Sequence, residues 1–296
     1  MATNCRMKFH GVRAFHSVPG RRNIAFGGNT SCIEICDDSS HIFINAGFGL
    51  NQALPNWLND HKSRKDRFHC AILFSDLFWD SILGLPFFAP IHFKSSHLEL
   101  FTSASKSQIE DALNDMSSNL LTPFNGIESF PSKLSIHGST TKKQWGQWTI
   151  MALPLLHPLA PYPLAAWRLT HTSGIDLGFV MISSPDEHAL ALIATFLEGA
   201  KTLVCAASNG PHQDVWSQDR TTFDDALKLG LLVGANDLYL SQFHPEMTDI
   251  HLQSELRKLS EKLPKLCGDP SRISIHLASE VESFISLSTQ ARAKAG

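Results

Sequence analysis

Fifteen histidines and six cysteines are the side chains of this sequence best able to ligate a metal or act as nucleophiles. The cysteines, Cys5, Cys32, Cys36, Cys70, Cys205 and Cys267, are scattered along the chain. They show neither the CxxC pairs of a zinc ribbon nor the density of a disulfide framework, so buried free thiols are expected. The histidines are equally dispersed and read as surface or hydrogen-bonded residues. Gly27-Gly28 and Gly47-Phe-Gly49 lack the Lys-Ser/Thr ending of a nucleotide loop and read as turns. Lys62, Arg64, Lys65 and Arg67 form a short basic run without interleaved aromatics, the pattern of a solvated loop rather than a nucleic-acid patch.

A chain of 296 residues with 43% hydrophobic content has enough material for a full core, which excludes intrinsic disorder. A net charge of -3 and 18% charged residues give no field that would recruit nucleic acid or an anionic membrane by charge alone. The most apolar stretch, Met151 to Trp167, is broken by Pro154, Pro158, Pro161 and Pro163 and cannot cross a bilayer as a regular helix. The N-terminus carries charge but no apolar segment behind it, so a cytoplasmic protein is expected.

Short runs rich in Ile, Val and Phe predict strands at Met7 to Val12, Cys32 to Ile35, His41 to Asn45, Cys70 to Phe74, Leu98 to Phe101 and Trp148 to Leu153. A second series falls at Ala166 to Thr170, Leu177 to Ile182, Thr202 to Ala206, Asp237 to Gln242 and Ile273 to His276. Between them, Ser107-Gln-Ile-Glu110 reads as a capping box opening a helix that buries Ile109, Ala112, Leu113 and Met116. A second helix is expected from Thr221 or Thr222 through Leu231. A third, carrying Leu252, Leu256, Leu259 and Leu263, is expected to stop before Pro264 or at Gly268. With no internal repeat and no low-complexity linker, the expectation is one α/β domain over residues 1–296. Trp145 and Trp148 are open between edge or dimer contacts and core packing.

The segments Met7 to Arg13, Gly27 to Ile35, Ile42-Phe-Ile-Asn-Ala-Gly-Phe-Gly49 and Gly84-Leu-Pro-Phe-Phe-Ala-Pro90 resemble metallo-β-lactamase-fold hydrolases of the phosphodiesterase-like branch. The resemblance continues in order through Leu156-His157-Pro158, Arg220 to Ala226 and Phe243-His-Pro-Glu-Met-Thr-Asp249. It implies an αββα sandwich, two facing mixed sheets with helices outside. It also implies a dinuclear metal edge where a metal-bound hydroxide attacks an ester, amide or phosphodiester.

The ligands that the resemblance implies are largely replaced. The family's H-x-H-x-D-H falls on Asp76-Leu77-Phe78-Trp79-Asp80-Ser81. Asp80 and His157 keep ligand positions and Asp76 is a changed but competent donor, whereas Phe78, Ser81, Ser184 and Gln242 stand where ligands are expected. His244 follows Gln242 by two residues. Asn45 takes the place of a strand-end aspartate, Ala14-Phe15-His16 that of a Gly-Ser turn, and Arg220 that of a histidine associated with catalysis in related nucleases.

The expectation is therefore a pseudoenzyme with no cofactor, acting by binding a protein, a second copy of itself, or a small anion held by Arg220, His157 and Ser184. In that cleft Phe78 would fill the metal's place and Arg220 would neutralise Asp76 or Asp80. The alternative is an active hydrolase holding one divalent ion (Mn, Fe, Zn or Mg) on Asp76, Asp80, His157 and His244. In that reading the spacing of four places the two aspartates on one helical face.

Overall fold

A computed structural model describes residues 4–53, 68–118, 124–157, 160–181, 186–208, 210 and 221–288. Fourteen strands in it form two seven-stranded sheets. The first contains β1 (Arg6–Gly11), β2 (Cys32–Cys36), β3 (His41–Ile44), β4 (His69–Phe74), β5 (His97–Thr102), β6 (Lys133–His137) and β14 (Ile285–Ser286), in the order β14-β1-β2-β3-β4-β5-β6. The second contains β7 (Lys142–Trp145), β8 (Trp148–Leu155), β9 (Leu164–His171), β10 (Asp176–Val180), β11 (Thr202–Ala206), β12 (Asp237–Ser241) and β13 (Ser274–Leu277), running from β13 in sequence order back to β7. The pairings along β14-β1-β2-β3 and along β7-β8-β9-β10 are antiparallel, and those from β3 to β6 and from β10 to β13 are parallel. Parallel pairing needs a crossover between neighbours, and this supplies the loops at strand ends that build sites.

Alternation along the strands decides what faces what. Ile33 and Ile35 of β2, and Ala71 and Leu73 of β4, join the core between the sheets, where they meet Trp148, Trp167 and Phe179. Their neighbours Cys32, Cys70, Ile72 and Phe74 point the other way into a second core under the first sheet's outer layer. A strand buried on both faces reads as a continuous apolar run, which is why β2, β4 and β11 were predictable. Each fully buried aliphatic or aromatic side chain contributes about 1.5–3 kcal/mol.

Five α-helices are described: α1 (Trp79–Ile82), α2 (Lys106–Met116), α3 (Glu187–Phe196), α4 (Phe223–Val233) and α5 (Asp249–Cys267). Helix α2 buries Ile109 and Leu113 in the outer core of the first sheet. Its capping box is Ser105 with Gln108, not Ser107 with Glu110. Both tetrapeptides satisfy the pattern, and the earlier one wins because Ser105 holds extended backbone angles while Ser107 is already helical. Thr222 caps α4 in a box with Asp225. Helix α5 continues through Pro264 and ends where Gly268, at φ 72°, donates its N–H to the Pro264 carbonyl. Leu190 and Ile193 of α3, Leu227 of α4 and Leu252 and Leu259 of α5 pack into the core on the second sheet's side.

Sequence periodicity did not disclose β6, β7, β14 or α3, and both Trp145 and Trp148 belong to the core. The five cysteines Cys5, Cys32, Cys36, Cys70 and Cys205 are buried free thiols, and Cys267 is half-buried and free. Among the described residues, no helix is long and apolar enough to cross a membrane.

Candidate functional site

Where β3 and β4 end side by side, the chain turns twice in close quarters. The Ser75 N–H donates to Asn45 Oδ1 at 2.9 Å, and the Ala165 N–H donates to the Ser75 carbonyl at 2.7 Å, tying this edge to the second sheet. Asp76 then folds its carboxylate back on its own loop, accepting the Phe78 N–H at 3.0 Å. The Leu77 N–H donates to the Tyr162 hydroxyl at 3.1 Å. Helix α1 begins only at Trp79, so Asp76 precedes it and the two aspartates do not share a helical face as their spacing of four had suggested. The Ala46 N–H donates to the Ser81 carbonyl and the Gly84 N–H to the Ala46 carbonyl, so the α1 turn lies flat on the loop after β3. A Cβ on either Gly47 or Gly84 would collide with the other segment's backbone.

Asp80 does not stand open at this edge, because its Oδ2 accepts the Phe15 N–H at 2.8 Å. The Phe15 ring lies edge-on to His244, with centroids 5.4 Å apart. Asp80, Phe15 and His244 are thus brought together by helix α1 and two loops. His244 is buried, and its Nδ1 accepts the Glu246 N–H at 3.2 Å, which places the ring proton on Nε2. His157 lies half-buried just beyond β8, its carbonyl accepting the Ala160 N–H. The half-buried Phe78 packs against Tyr162, ring centroids 6.2 Å apart. Burial raises the Tyr162 hydroxyl pKa, and the nearby Asp76 carboxylate raises it further. Ser184 and Arg220 lie outside the described residues, as do Lys62, Arg64, Lys65 and Arg67.

Backbone strain collects here. Of the four described non-glycine residues with left-handed φ, Phe15 (64°), Asn45 (61°) and Gln242 (52°) all sit at this edge. Buried polar atoms without partners collect with them: Asn45 Nδ2, Ser75 Oγ, Ser81 Oγ and Ser241 Oγ. Each such group costs about 1–3 kcal/mol relative to a satisfied one.

Among the described residues, the donors present at this edge do not make up the paired-metal centre that the resemblance implies. Among the described residues, Asp76, Asp80, His157 and His244 do not bring three donor atoms within 4.8 Å of one another. One of the Asp80 oxygens is committed to a backbone amide, and Ser81 is wholly buried where an imidazole would be needed. Beside α1 the surface is apolar instead. A cavity of about 550 Å³ is lined by Phe48, Leu77, Trp79, Ile82, Phe87 and Met116, and Trp79 and Phe87 are each 56% exposed.

Two groups of ligand-type side chains do converge elsewhere, and sequence reading found neither. In the first, the buried Glu34 bridges His10 at 2.7 Å and His41 at 2.8 Å, with Cys36 beside it. Burial opposes ionisation of Glu34, but the hydrogen bonds from the two histidines hold its pKa down to about 2. Burial, reinforced by Glu34, pushes the Cys36 thiol up to about 12. In the second, Glu99 of β5 accepts from His69 Nε2 at 3.0 Å and from His137 Nε2 at 2.9 Å, with His97 stacked on His69. Burial and then the neighbouring His69 lower the His97 pKa. For Glu99, burial is outweighed by the bonds from His69 and His137, so its pKa is lowered. The available signal was His97-x-Glu99, two residues on one strand face. It is visible only if β5 begins at His97 rather than Leu98.

No protein-family model and no curated protein matches the sequence. Solved structures do match over nearly the whole chain. Unliganded yeast PDE1 is 10% identical with a TM-score of 0.63, covering 96% of this chain and 99% of that one. The metallo-β-lactamase fold protein YhfI from Bacillus subtilis is 16% identical with a TM-score of 0.60, covering 94% and 97%. The short form of human tRNase Z is 14% identical with a TM-score of 0.59, covering 96% and 99%. With two facing seven-stranded mixed sheets and helices packed on them, this chain has the metallo-β-lactamase fold.

Proposed function

We propose that the chain is a catalytically degenerate protein of this fold, one domain over residues 1–296 that acts in the cytoplasm by binding rather than by metal-dependent hydrolysis. The observation that carries this reading is Asp80: the carboxylate at the one motif position that keeps its residue type spends an oxygen on the Phe15 N–H, between a half-buried Phe78 and a buried Ser81 whose hydroxyl has no partner. Ligand sets exchange one donor type for another, but a benzene ring donates nothing. A protein partner, or a second copy of the chain, is supported by the exposed Trp79 and Phe87 beside the former motif. A small anion held by Arg220, His157 and Ser184 is the other occupant the cleft's chemistry allows.

The neighbouring folds keep a rival in view, since they include a diphosphatase and a metallo hydrolase. In it, Asp76, Asp80, His157 and His244 hold one divalent ion. Hydrolysis of bis(p-nitrophenyl) phosphate with added manganese, iron, zinc or magnesium separates the two. The degenerate reading expects the same background rate from the unmutated chain and from the Asp76→Asn, Asp80→Asn double variant. Chelator-sensitive turnover that disappears in the double variant would establish the hydrolase instead.

A further inference from the structure

The first sheet carries a second, better-formed constellation at the opposite ends of its parallel strands. His69 is the first residue of β4 and His97 the first of β5, and the two are paired across the ladder. Five residues along β4, about 16 Å at strand rise, separate His69 from Phe74, where the former metal edge begins. Glu99 shares a strand face with Phe101, whose ring stacks on His137 at 4.5 Å. Trp145 closes one side, 4.6 Å from the His69 ring.

We propose that His69, His97 and Glu99 form a binding site for one zinc-type divalent ion, with His137 as the residue that orients Glu99. The three side chains offer donor atoms that all lie within 4.8 Å of one another. The His69 and His97 rings are stacked, 8° from parallel with centroids at 4.6 Å, and because an imidazole nitrogen donates in its ring plane, taking up one ion requires the two rings to tilt toward each other from this arrangement. From Glu99 Oε1 the two Nε2 atoms lie at 3.0 and 4.0 Å. Tetrahedral zinc with bonds of about 2.0–2.1 Å places neighbouring donors about 3.3 Å apart, between those two values.

Two imidazoles and a carboxylate suit zinc or a neighbouring transition ion, not calcium or magnesium, which take oxygen. Binding through Nε2 leaves each ring's proton on Nδ1. The ion takes the place of the hydrogens that His69 now shares with Glu99 and that His97 shares with Ser135 Oγ at 2.8 Å. The other Glu99 oxygen keeps its 2.9 Å bond from His137, the outer-shell contact that fixes a ligating carboxylate. The fourth position opens on a cavity of about 600 Å³ whose lining includes Ser95, Ser96, Lys94 and Lys133. The two lysines weaken the site for a bare cation and favour water replaced by an anion as the fourth ligand.

The experiment uses full-length, tag-free protein stripped with chelator and titrated with zinc chloride by calorimetry. One equivalent binds at micromolar concentration or tighter. His69→Gln and Glu99→Gln each weaken it by about 100-fold or more, and His137→Phe, which keeps the stack on Phe101, by about 10-fold. The Asp76→Asn, Asp80→Asn variant binds like the unmutated chain, which separates this site from the former one. Absence of stoichiometric uptake, or uptake lost in the aspartate variant and retained in His69→Gln, overturns the proposal. Should the histidine variants fail to fold, cobalt added to the unmutated chain decides. Paramagnetic broadening centred on the Leu98 and Ser135 amides supports the site, and broadening centred on Ser81 refutes it.

Discussion

Two ends of one sheet have opposite characters. After β4, Phe78 and Ser81 stand where the resemblance implies donors, Asp80 is bonded to a backbone amide, and three strained residues stand among four orphaned polar atoms. Before β4 and β5, nothing was expected, yet His69, His97, Glu99 and His137 meet with donors a few ångströms apart. If both proposals hold, the place where a motif falls and the place where ligating side chains converge are different ends of this sheet. The lesson is to ask which donors converge, not which positions once did.

The sharpest tests exploit that contrast. The buried His10–Glu34–His41 cluster supplies a reference in which every partner is internal. Glu34 has a folded pKa of about 2 against an unfolded value near 4.5. A depressed carboxylate contributes its stability fully above the unfolded value and loses it as pH falls toward the folded one. Denaturation should therefore show on the order of 3 kcal/mol lost between about pH 5 and pH 2. Glu34→Gln should flatten that slope, and an unchanged slope would remove Glu34 from the account.

Next in size, zinc at about one hundred times its dissociation constant should stabilise the unmutated chain by about 2.7 kcal/mol, read as a shift in thermal midpoint. The aspartate double variant should shift equally and Glu99→Gln hardly at all. The reverse pattern would exchange the roles of the two ends. Asn45→Ala should cost about 2 kcal/mol in urea unfolding, because it leaves the Ser75 N–H without its acceptor and puts an ordinary residue at φ 61°. A neutral result would mean that the strain at this edge is relaxed in solution. Smallest of all, Ser81→Ala should change stability by less than about 1 kcal/mol and toward stabilisation, since it deletes a hydroxyl that makes no bond. A large loss would mean that Ser81 has a partner after all.

How much of this was legible beforehand depends on burial. Strands covered on both faces, such as β4 and β11, announce themselves as unbroken apolar runs, and the order of the chain's motifs pointed to the sandwich. Lys133–His137 does alternate polar Lys133, Ser135 and His137 with apolar Leu134 and Ile136, but over only five residues at a sheet edge, and Lys142–Trp145 offers a single apolar residue, Trp145, and no alternation. The candidate edge after β4 could be named from the sequence because a motif is contiguous. The histidine–glutamate cluster could not, because its members come from three strands and only the parallel register of β4, β5 and β6 brings them together. Asn45 was noticed as a substitution, but its left-handed backbone was not predictable from its identity.

Arg13 is wholly buried near the chain's beginning, donating to the carbonyls of Gly27, His244 and Met247. Two of those acceptors lie more than 230 positions away, so the guanidinium has nowhere to settle until the segment carrying His244 and Met247 has been synthesised. During translation the stretch just after β1 must wait, with this charge unhoused, for residues 244–247 to emerge. Such reliance on distant contacts makes for slow acquisition of the native state, and a product ending at Ser241 would leave that guanidinium without two of its three acceptors.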